Sequence, residues 1–330
     1  MILTGIKPTG KPHLGNYLGA MRPALRLAKN GRAMIFIADY HALTTMTDPN
    51  ELRGLTYEVA ASWLAAGLNP EDVTFYRQSE VPETFELFWL LCCITPKGMM
   101  NRAHAYKAIV DKNSSLGQAA DVGINMGVYG YPVLMAADIL LFDATFVPVG
   151  KDQAQHVEMA RDIAERFNAS FGSVLTVPEL FHCDDREPIR GIDGRKMSKS
   201  YGNAIPLFAS SDELWKLLRA FKTDSTAANE PRDSNANGLF RIYSEFVDAD
   251  EAAVVHEALL SGDMTWGKLK ELTFEAVDAA VAPLRQRYRD MRNDIAELER
   301  ILSHGAAKAR TLARRTMLRV RGAVGVASHH

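Results

Sequence analysis

The sequence predicts an α/β fold in which a doubly wound parallel sheet is covered by helices and is followed by an all-α helical bundle. In the first half, short β-rich runs alternate with helical patterns, which is typical of a parallel sheet. After Asp212 no convincing strand follows, and apolar residues repeat at three-four spacing along a long segment. The length of 330 residues suits two domains of about 100 to 200 residues each.

Strands and helices alternate along the first part of the chain. The predicted strands are Ile2–Ile6, 33–38, Val73–Arg77 and 145–149. The predicted helices cover 49–66, 82–92, 133–142 and 153–167, and a further helix follows the first strand with Leu14, Leu18, Met21, Leu25 and Ala28 on one face. The stretch 97–130 is rich in Gly, Asn, Met and Ser, and we expect a mobile insertion there. Since crossovers between parallel strands are right-handed, we expect the carboxyl ends of the strands to meet at one edge.

The C-terminal third is predicted to be a helical bundle. One long helix is indicated by apolar residues at three-four spacing, namely Phe274, Val277, Val281, Leu284, Tyr288 and Met291. We therefore predict a Rossmann-like domain over 1–205, which includes the insertion at about 97–130, and an all-α domain over 206–330.

Composition excludes several classes of protein. A formal net charge of -2 and a hydrophobic fraction of 47% are typical of a soluble globular protein without a general basic excess for nucleic acid. The longest apolar run, 133–142, is interrupted by Asp138 and is too short to span a membrane. The three cysteines, Cys92, Cys93 and Cys183, lack metal-ligand spacing, so we expect reduced thiols in the cytoplasm and no structural metal.

The segment after the first strand has the composition of a phosphate-binding turn. It reads Lys7-Pro8-Thr9-Gly10 and continues to His13-Leu14-Gly15-Asn16 at the start of a helix, where unpaired backbone N–H groups favour an anion. Gly15 has no Cβ and lets a nucleotide base approach the backbone, while His13 and Asn16 can donate to phosphoryl oxygens. Taken alone, the segment also fits an ordinary strand-turn-helix with a satisfied histidine.

A second segment complements the first. Lys196, Met197, Ser198, Lys199 and Ser200 are consecutive and lie between Gly194 and Gly202. Ammonium groups on such a mobile loop can stabilise pyrophosphate as it leaves ATP. A solvated Lys/Ser loop is the alternative for this segment alone, but the two segments together indicate a site for the phosphates of ATP.

These segments resemble the signatures of class I aminoacyl-tRNA synthetases, with 13–16 in place of the HIGH motif and 196–200 as the KMSKS motif. Three further segments, 5–10, 131–140 and 147–153 followed by His156, resemble the tryptophanyl-tRNA synthetases. The similarity runs from near Met1 to about Val324. It implies a Rossmann-like catalytic domain and a ligase that converts L-tryptophan and ATP to tryptophanyl-adenylate and pyrophosphate, then charges the 3′ end of tRNA(Trp), with Mg²⁺ accompanying ATP.

The resemblance also implies roles for individual residues. Catalytic roles fall to His13, Asn16, Lys196 and Lys199. Contacts to ATP fall to Lys7, Pro8, Thr9, Gly15, Asn16, Lys107, Gly150, Lys151, Asp152, Ile189, Lys196, Met197, Ser198, Lys199 and Ser200. One departure is Lys151, since the family usually carries Glu there; this charge reversal beside the nucleotide predicts a divergent branch.

Asp138 is the residue that the resemblance places against the indole N–H of tryptophan. An indole is a donor without an acceptor, so it requires such a partner, and a buried acceptor left unpaired penalises phenylalanine. The resemblance further implies that Tyr131 and Gln153 hold the substrate ammonium, that Met135 lines the indole pocket and that His41 forms its wall. From the residues alone, Asp138 also fits a solvent-facing helix carboxylate, and His41 a satisfied core histidine.

The end of the chain is locally basic. No acidic residue follows Glu299, whereas the segment contains Arg300, Lys308, Arg310, Arg314, Arg315, Arg319 and Arg321. Such a face can bind a phosphate backbone, and the resemblance places it in a helical domain that meets the tRNA anticodon, with Arg310, Arg314 and Arg315 as tRNA contacts. The alternative is an amphipathic helix that packs through Met317 and Val320. The resembling enzymes are homodimers.

Three other functions remain open at this point. A tyrosine–tRNA ligase would need partners for a phenol hydroxyl, whereas Asp138 suits an indole N–H. A non-catalytic RNA-binding paralogue would not need His13 and Lys199 together. A small-molecule adenylyltransferase shares the nucleotide segments but has no need of the basic C-terminal region.

Overall fold

The computed structural model describes residues 1–29, 33–149, 153–182, 187–227, 229–236 and 238–326. Five strands form one parallel sheet in the order β3-β2-β1-β4-β5. Their bounds are β1 Ile2–Ile6, β2 Ala33–Ile37, β3 Val73–Arg77, β4 Phe146–Val149 and β5 Glu179–His182. The predicted parallel sheet is confirmed, and this strand order is that of a Rossmann-like fold.

Helices connect the strands and continue after the sheet. Their bounds are α1 Leu14–Asn16, α2 Arg22–Ala28, α3 Asp39–Ala42, α4 Pro49–Ala65, α5 Glu83–Ile94, α6 Lys97–Met100, α7 His104–Ser115, α8 Met126–Leu140, α9 Ala154–Phe171, α10 Ser211–Arg219, α11 Leu239–Ser244, α12 Ala249–Ser261, α13 Trp266–Asn293 and α14 Ile295–Val324. A π-helical turn, Tyr17–Met21, joins α1 to α2. No helix in the described ranges is both long and apolar enough to cross a bilayer.

The stretch 97–130 is more regular than its composition predicts. It contains α6, α7 and the first turn of α8. The loop between α7 and α8 is tied down by the buried Asn113, whose amide donates to the carbonyls of Ala120 at 2.9 Å and Val122 at 2.8 Å. The side chain of Asn125 then caps α8 by accepting from the Val128 N–H. The composition of this stretch therefore did not reveal α7, and the expected mobility of the insertion stays a prediction.

The bounds of α8 also differ from the prediction. The apolar run suggested a start at residue 133, after a proline that normally interrupts a helix. The structure carries α8 through Pro132, so that Tyr131, Met135 and Asp138 share one continuous helix. A single helix thus positions three of the residues predicted to bind tryptophan.

The last helix, α14, packs directly on the edge strand β3. At Gly305 a Cβ would lie 1.7 Å from the carbonyl oxygen of Phe75, so only glycine permits this approach. Ala309, Ala313 and Met317 of α14 are fully buried in one hydrophobic cluster with residues of the sheet. A second cluster also combines residues from both sides of position 205. The division into 1–205 and 206–330 stays a prediction, but neither core follows it.

Candidate active site

Two adjoining cavities open at the carboxyl ends of the strands. The larger has a volume of about 630 Å³, and its wall contains all five residues predicted to bind tryptophan, namely His41, Tyr131, Met135, Asp138 and Gln153. The smaller has a volume of about 270 Å³ and is lined by both predicted phosphate-binding segments, among them Thr9, His13, Asn16, Ser198 and Lys199. Ile6 and Lys7 line both cavities. A ligand in one cavity can therefore meet a ligand in the other beside Lys7.

Asp138 is the buried acceptor of the larger cavity. The residue is 3% exposed, so the alternative of a solvent-facing carboxylate is wrong. Its Oδ2 accepts from His41 Nε2 at 2.9 Å, and the amide Nε2 of Gln78 lies 2.8 Å from both carboxylate oxygens. Burial raises the pKa of Asp138, while the hydrogen bonds from His41 and Gln78 act against that rise.

The other side chains of this cavity are held by local contacts. His41 is placed by α3, which starts directly after β2; its Nδ1 is buried and has no hydrogen-bond partner among the described residues, so the alternative of a satisfied core histidine is wrong. The Tyr131 hydroxyl lies 2.8 Å from His156 Nε2 and 3.4 Å from Gln153 Oε1. These bonds fix polar groups of α8 and α9 at one end of the cavity, next to the apolar part that Met135 lines.

The segment His13 to Asn16 closes on itself at the start of α1. His13 Nδ1 accepts from the Asn16 N–H at 3.2 Å, and Asn16 Oδ1 accepts from the His13 N–H at 3.1 Å, which forms a capping box. Burial and the nearby Lys199 ammonium lower the pKa of His13 to about 4. The imidazole is therefore neutral at pH 7, and because Nδ1 accepts, its proton resides on Nε2.

The segment 196–200 docks onto this helix start. Met197 is buried, and its Sδ accepts from the Gly15 N–H at 3.3 Å. The side chain of Lys199 packs against Gly10, because a Cβ at position 10 would lie 2.7 Å from the Lys199 ammonium. The φ of Gly10 is +136°, a value that favours glycine. Burial lowers the pKa of Lys199. The structure thus brings together two segments that are far apart in the sequence.

Comparison with known proteins gives this arrangement a family. A family model described as tRNA synthetases class I (W and Y) matches residues 1–282. The chain belongs to this family of class I tRNA synthetases.

Relatives of this class I synthetase are similar over nearly its whole length. A tryptophan–tRNA ligase from Xylella fastidiosa is 49% identical, with 99% of this chain and 76% of that protein covered. One from Neisseria meningitidis is 48% identical, with 98% of this chain and 97% of that protein covered. The crystal structure of a tryptophanyl-tRNA synthetase from Campylobacter jejuni, complexed with ADP and tryptophan, is 38% identical with a TM-score of 0.87, and covers 98% of this chain and 99% of that one.

Some predicted ATP contacts of the synthetase lie away from the cavities. Lys107 is exposed on α7, whose residues Ala105 and Ile109 face the larger cavity instead. Lys196 and Ser200 are exposed and line neither cavity. Ile189 and Pro8 are buried, and the Ile189 carbonyl supports the loop by accepting from the Met197 N–H at 2.8 Å. Gly150, Lys151, Asp152 and Cys183 lie outside the described residues.

Three residues of the site were not predicted from the sequence. Gln78 holds Asp138, as described above, and Thr44 accepts from the Lys7 ammonium at 3.0 Å. Asn203 is 1% exposed, and its side chain accepts from the Ser198 N–H and donates to the Lys196 carbonyl of the segment 196–200. Gln78 follows directly after β3, and a polar residue at the carboxyl end of a parallel strand is a signal that would have found it.

The basic residues of α14 mostly have acidic partners. Arg310 and Arg314 both bond to Glu83 of α5, at 3.1 and 3.3 Å. Arg319 and Arg321 pair with Asp143 and Glu86, and Met317 and Val320 are fully buried. The prediction of an amphipathic helix that packs through Met317 and Val320 is therefore confirmed for α14. Within the described ranges, Arg315 is exposed and has no ion pair.

Proposed function

We propose that this chain is a tryptophan–tRNA ligase that forms tryptophanyl-adenylate and pyrophosphate from L-tryptophan and ATP, and then charges tRNA(Trp). The observation that carries the proposal is the junction of the two cavities at Lys7. The larger cavity ends at the acceptor Asp138, and the smaller one contains His13 and Lys199. A carboxylate bound in the first therefore meets the α-phosphate of a nucleotide bound in the second.

The larger cavity is suited to tryptophan rather than tyrosine. Its apolar wall includes Phe36, Met135 and Val147, and its buried polar acceptor is Asp138. An indole N–H satisfies this acceptor without a further polar partner in the ring system. Two relatives that are 49% and 48% identical to this chain are named tryptophan–tRNA ligases, which supports the same choice.

Adenylate formation in this proposal depends on positioning and electrostatics. The Nε2–H of neutral His13 and the amide of Asn16 donate to phosphoryl oxygens, and the Lys199 ammonium stabilises pyrophosphate as it leaves. Mg²⁺ arrives with ATP. Among the described residues no group of three His, Cys, Asp or Glu side chains is placed to hold a metal ion.

The second step requires tRNA. We assign anticodon binding to the helical region 206–330, with Arg315 as an exposed cation of α14 that has no ion pair among the described residues, whereas Arg310 and Arg314 bond to Glu83. A homodimer is supported by α5, where Trp89 is 67% exposed and Phe85 39% exposed, since large exposed apolar side chains mark interaction surfaces. The free thiols Cys92 and Cys93 fit action in the cytoplasm.

The experiment that tests the proposal is pyrophosphate–ATP exchange with each of the twenty amino acids, without tRNA. Exchange with tryptophan alone is the expected result. Exchange with tyrosine would assign the larger cavity to the rival ligase. Absence of exchange with every amino acid, in a protein that still binds tRNA, would instead support the non-catalytic paralogue.

A further inference from the structure

Gln78 contacts Asp138 but is not among the residues that line the larger cavity. It begins the short 3₁₀ turn Gln78–Glu80 at the end of β3 and is 1% exposed. Its Nε2 lies 2.8 Å from Oδ1 and 2.8 Å from Oδ2 of Asp138. Gln78 is not part of the cavity wall, so a bound substrate would touch Asp138 but not Gln78.

The contacts of Asp138 leave room for one more donor. A carboxylate offers about four acceptor positions on its two oxygens. The Gln78 amide spans both oxygens, and His41 occupies a further position on Oδ2. The remaining position is on Oδ1. The amide also fixes the plane of the carboxylate, because it engages both oxygens at the same distance.

We propose that Gln78 is a positioning residue for substrate selectivity: it holds Asp138 as an oriented, ionised acceptor for the indole N–H of tryptophan. The inference rests on the proposed function, in which Asp138 receives that N–H. A neutral carboxyl group would present its own O–H and would lose the acceptor character on which the selection depends.

The surroundings of Asp138 explain why such a residue is needed. The titratable side chains near it, in the part of the chain that the structure describes, are His41 on α3, Tyr76 on β3 and Lys7 in the wall of the same cavity. Burial favours the neutral carboxyl, and the donors Gln78 and His41 favour the carboxylate. Removal of Gln78 leaves His41 as the one direct donor described for Asp138.

The first variant is Gln78→Met, which preserves size and removes the donor. Because Gln78 Oε1 is buried without a hydrogen-bond partner among the described residues, this variant leaves no new unpaired group on residue 78 itself. We expect the KM for tryptophan in pyrophosphate exchange to rise about tenfold or more at pH 7, as for loss of a hydrogen bond to a charged group. We expect the deficit to shrink as the pH rises, because a higher pH restores the carboxylate.

The second variant is Gln78→Glu, which predicts the opposite pH dependence. When the introduced carboxyl group is protonated, it can donate to Asp138 as the amide does, whereas its ionised form repels Asp138. The tryptophan KM of this variant is therefore expected to approach the wild-type value at low pH and to rise as the pH increases. Loss of packing alone would give both variants the same pH profile.

The matched control is Ser79→Ala in the same turn, which removes the hydroxyl bond from Ser79 to Asp39 Oδ2, keeps the backbone N–H bond to Asp39 Oδ1 and makes no change at Asp138. All four proteins are assayed from pH 6 to 9, with the KM for ATP as an internal reference. Opposite pH slopes for the two Gln78 variants, with a flat Ser79 control, support the inference. A tryptophan KM within twofold of wild type, or equal slopes in both variants, overturns it while leaving wild-type exchange and the proposed function intact. Absence of tryptophan-dependent exchange in the wild type removes both.

Discussion

Replacement of Asn203 by alanine is expected to slow adenylate formation about 100-fold. Asn203 joins three points of the loop that carries Lys199. Its Nδ2 donates to Asp193 Oδ1 at 2.7 Å and to the Lys196 carbonyl at 3.1 Å, and its Oδ1 accepts from the Ser198 N–H at 2.8 Å. Alanine removes all three bonds from a site that is 1% exposed.

The size of the effect follows from those bonds. Each contributes about 1 kcal/mol, so the docked loop loses about 3 kcal/mol relative to other arrangements. At about 1.4 kcal/mol per factor of ten, this corresponds to about 100-fold in the population that presents Lys199 to the smaller cavity. Tryptophan binds in the larger cavity, so its affinity should change by less than about threefold.

The assay is pyrophosphate exchange at varied ATP, together with calorimetric binding of tryptophan. Asn69→Ala is the control, because it removes the same type of side chain from an exposed turn outside both cavities, where Asn69 Nδ2 donates to Asp72 Oδ2 at 2.7 Å. We expect this control to stay within about threefold of wild type, as for a weak surface contact. An Asn203→Ala enzyme with an unchanged kcat/KM for ATP, or with an equal loss of tryptophan affinity, would refute the reasoning.

Three further predictions concern the nucleotide site and tRNA. Lys199→Ala should lower kcat for adenylate formation roughly 100- to 1000-fold, as for other groups that stabilise developing charge, with little change in tryptophan affinity; equal losses in both would contradict a role in the transition state. His13 has a folded pKa of about 4 and an ordinary value near 6.5, so the unfolded chain binds more protons between these values and the free energy of unfolding should fall as the pH drops from about 6.5 to 4. Denaturant titrations of wild type and His13→Asn across that range measure this, and identical slopes would contradict it. Arg315→Glu should weaken tRNA affinity without altering exchange, while Arg314→Ala, whose guanidinium contacts Glu83, should mainly lower stability; filter binding and thermal unfolding separate the two.

Much of the sheet could be predicted from the sequence. Ile2–Ile6 and Val73–Arg77 match their strands because both are β-rich and bounded by turn residues. β5 escaped prediction, since it has four residues and begins with Glu after a proline. The helix α7 was not predicted because its weak apolar periodicity gives little signal. The loop that follows it is held by one buried asparagine, Asn113.

Residues of the site could be predicted from the sequence where they stand in a recognisable motif. Residues whose role depends on contacts made in the folded chain could be predicted less well. His13 was predicted because a histidine at a helix start is a local signal, whereas the role of Asp138 was implied by the resemblance of 131–140 to the tryptophanyl-tRNA synthetases. The position of Gln78 at the end of β3 is a sequence signal, but its partner Asp138 is 60 residues away, so the contact itself is seen only in the folded chain. The bond from Asn203 to the Lys196 carbonyl likewise depends on how the loop folds. The arginines of α14 show a different case, because nothing in the sequence indicated that Arg310 and Arg314 bond to Glu83, and their contact with tRNA stays a prediction.

The packing of Gly305 against Phe75 has a consequence for synthesis on the ribosome. β3 is an edge strand, and its neighbour on the open side is a helix that is translated long after it. Until α14 emerges, the nascent sheet exposes a strand edge that can pair with other chains. Chaperone dependence during translation should therefore persist late into synthesis, and a ribosome stalled before residue 295 should release a species that is prone to aggregation.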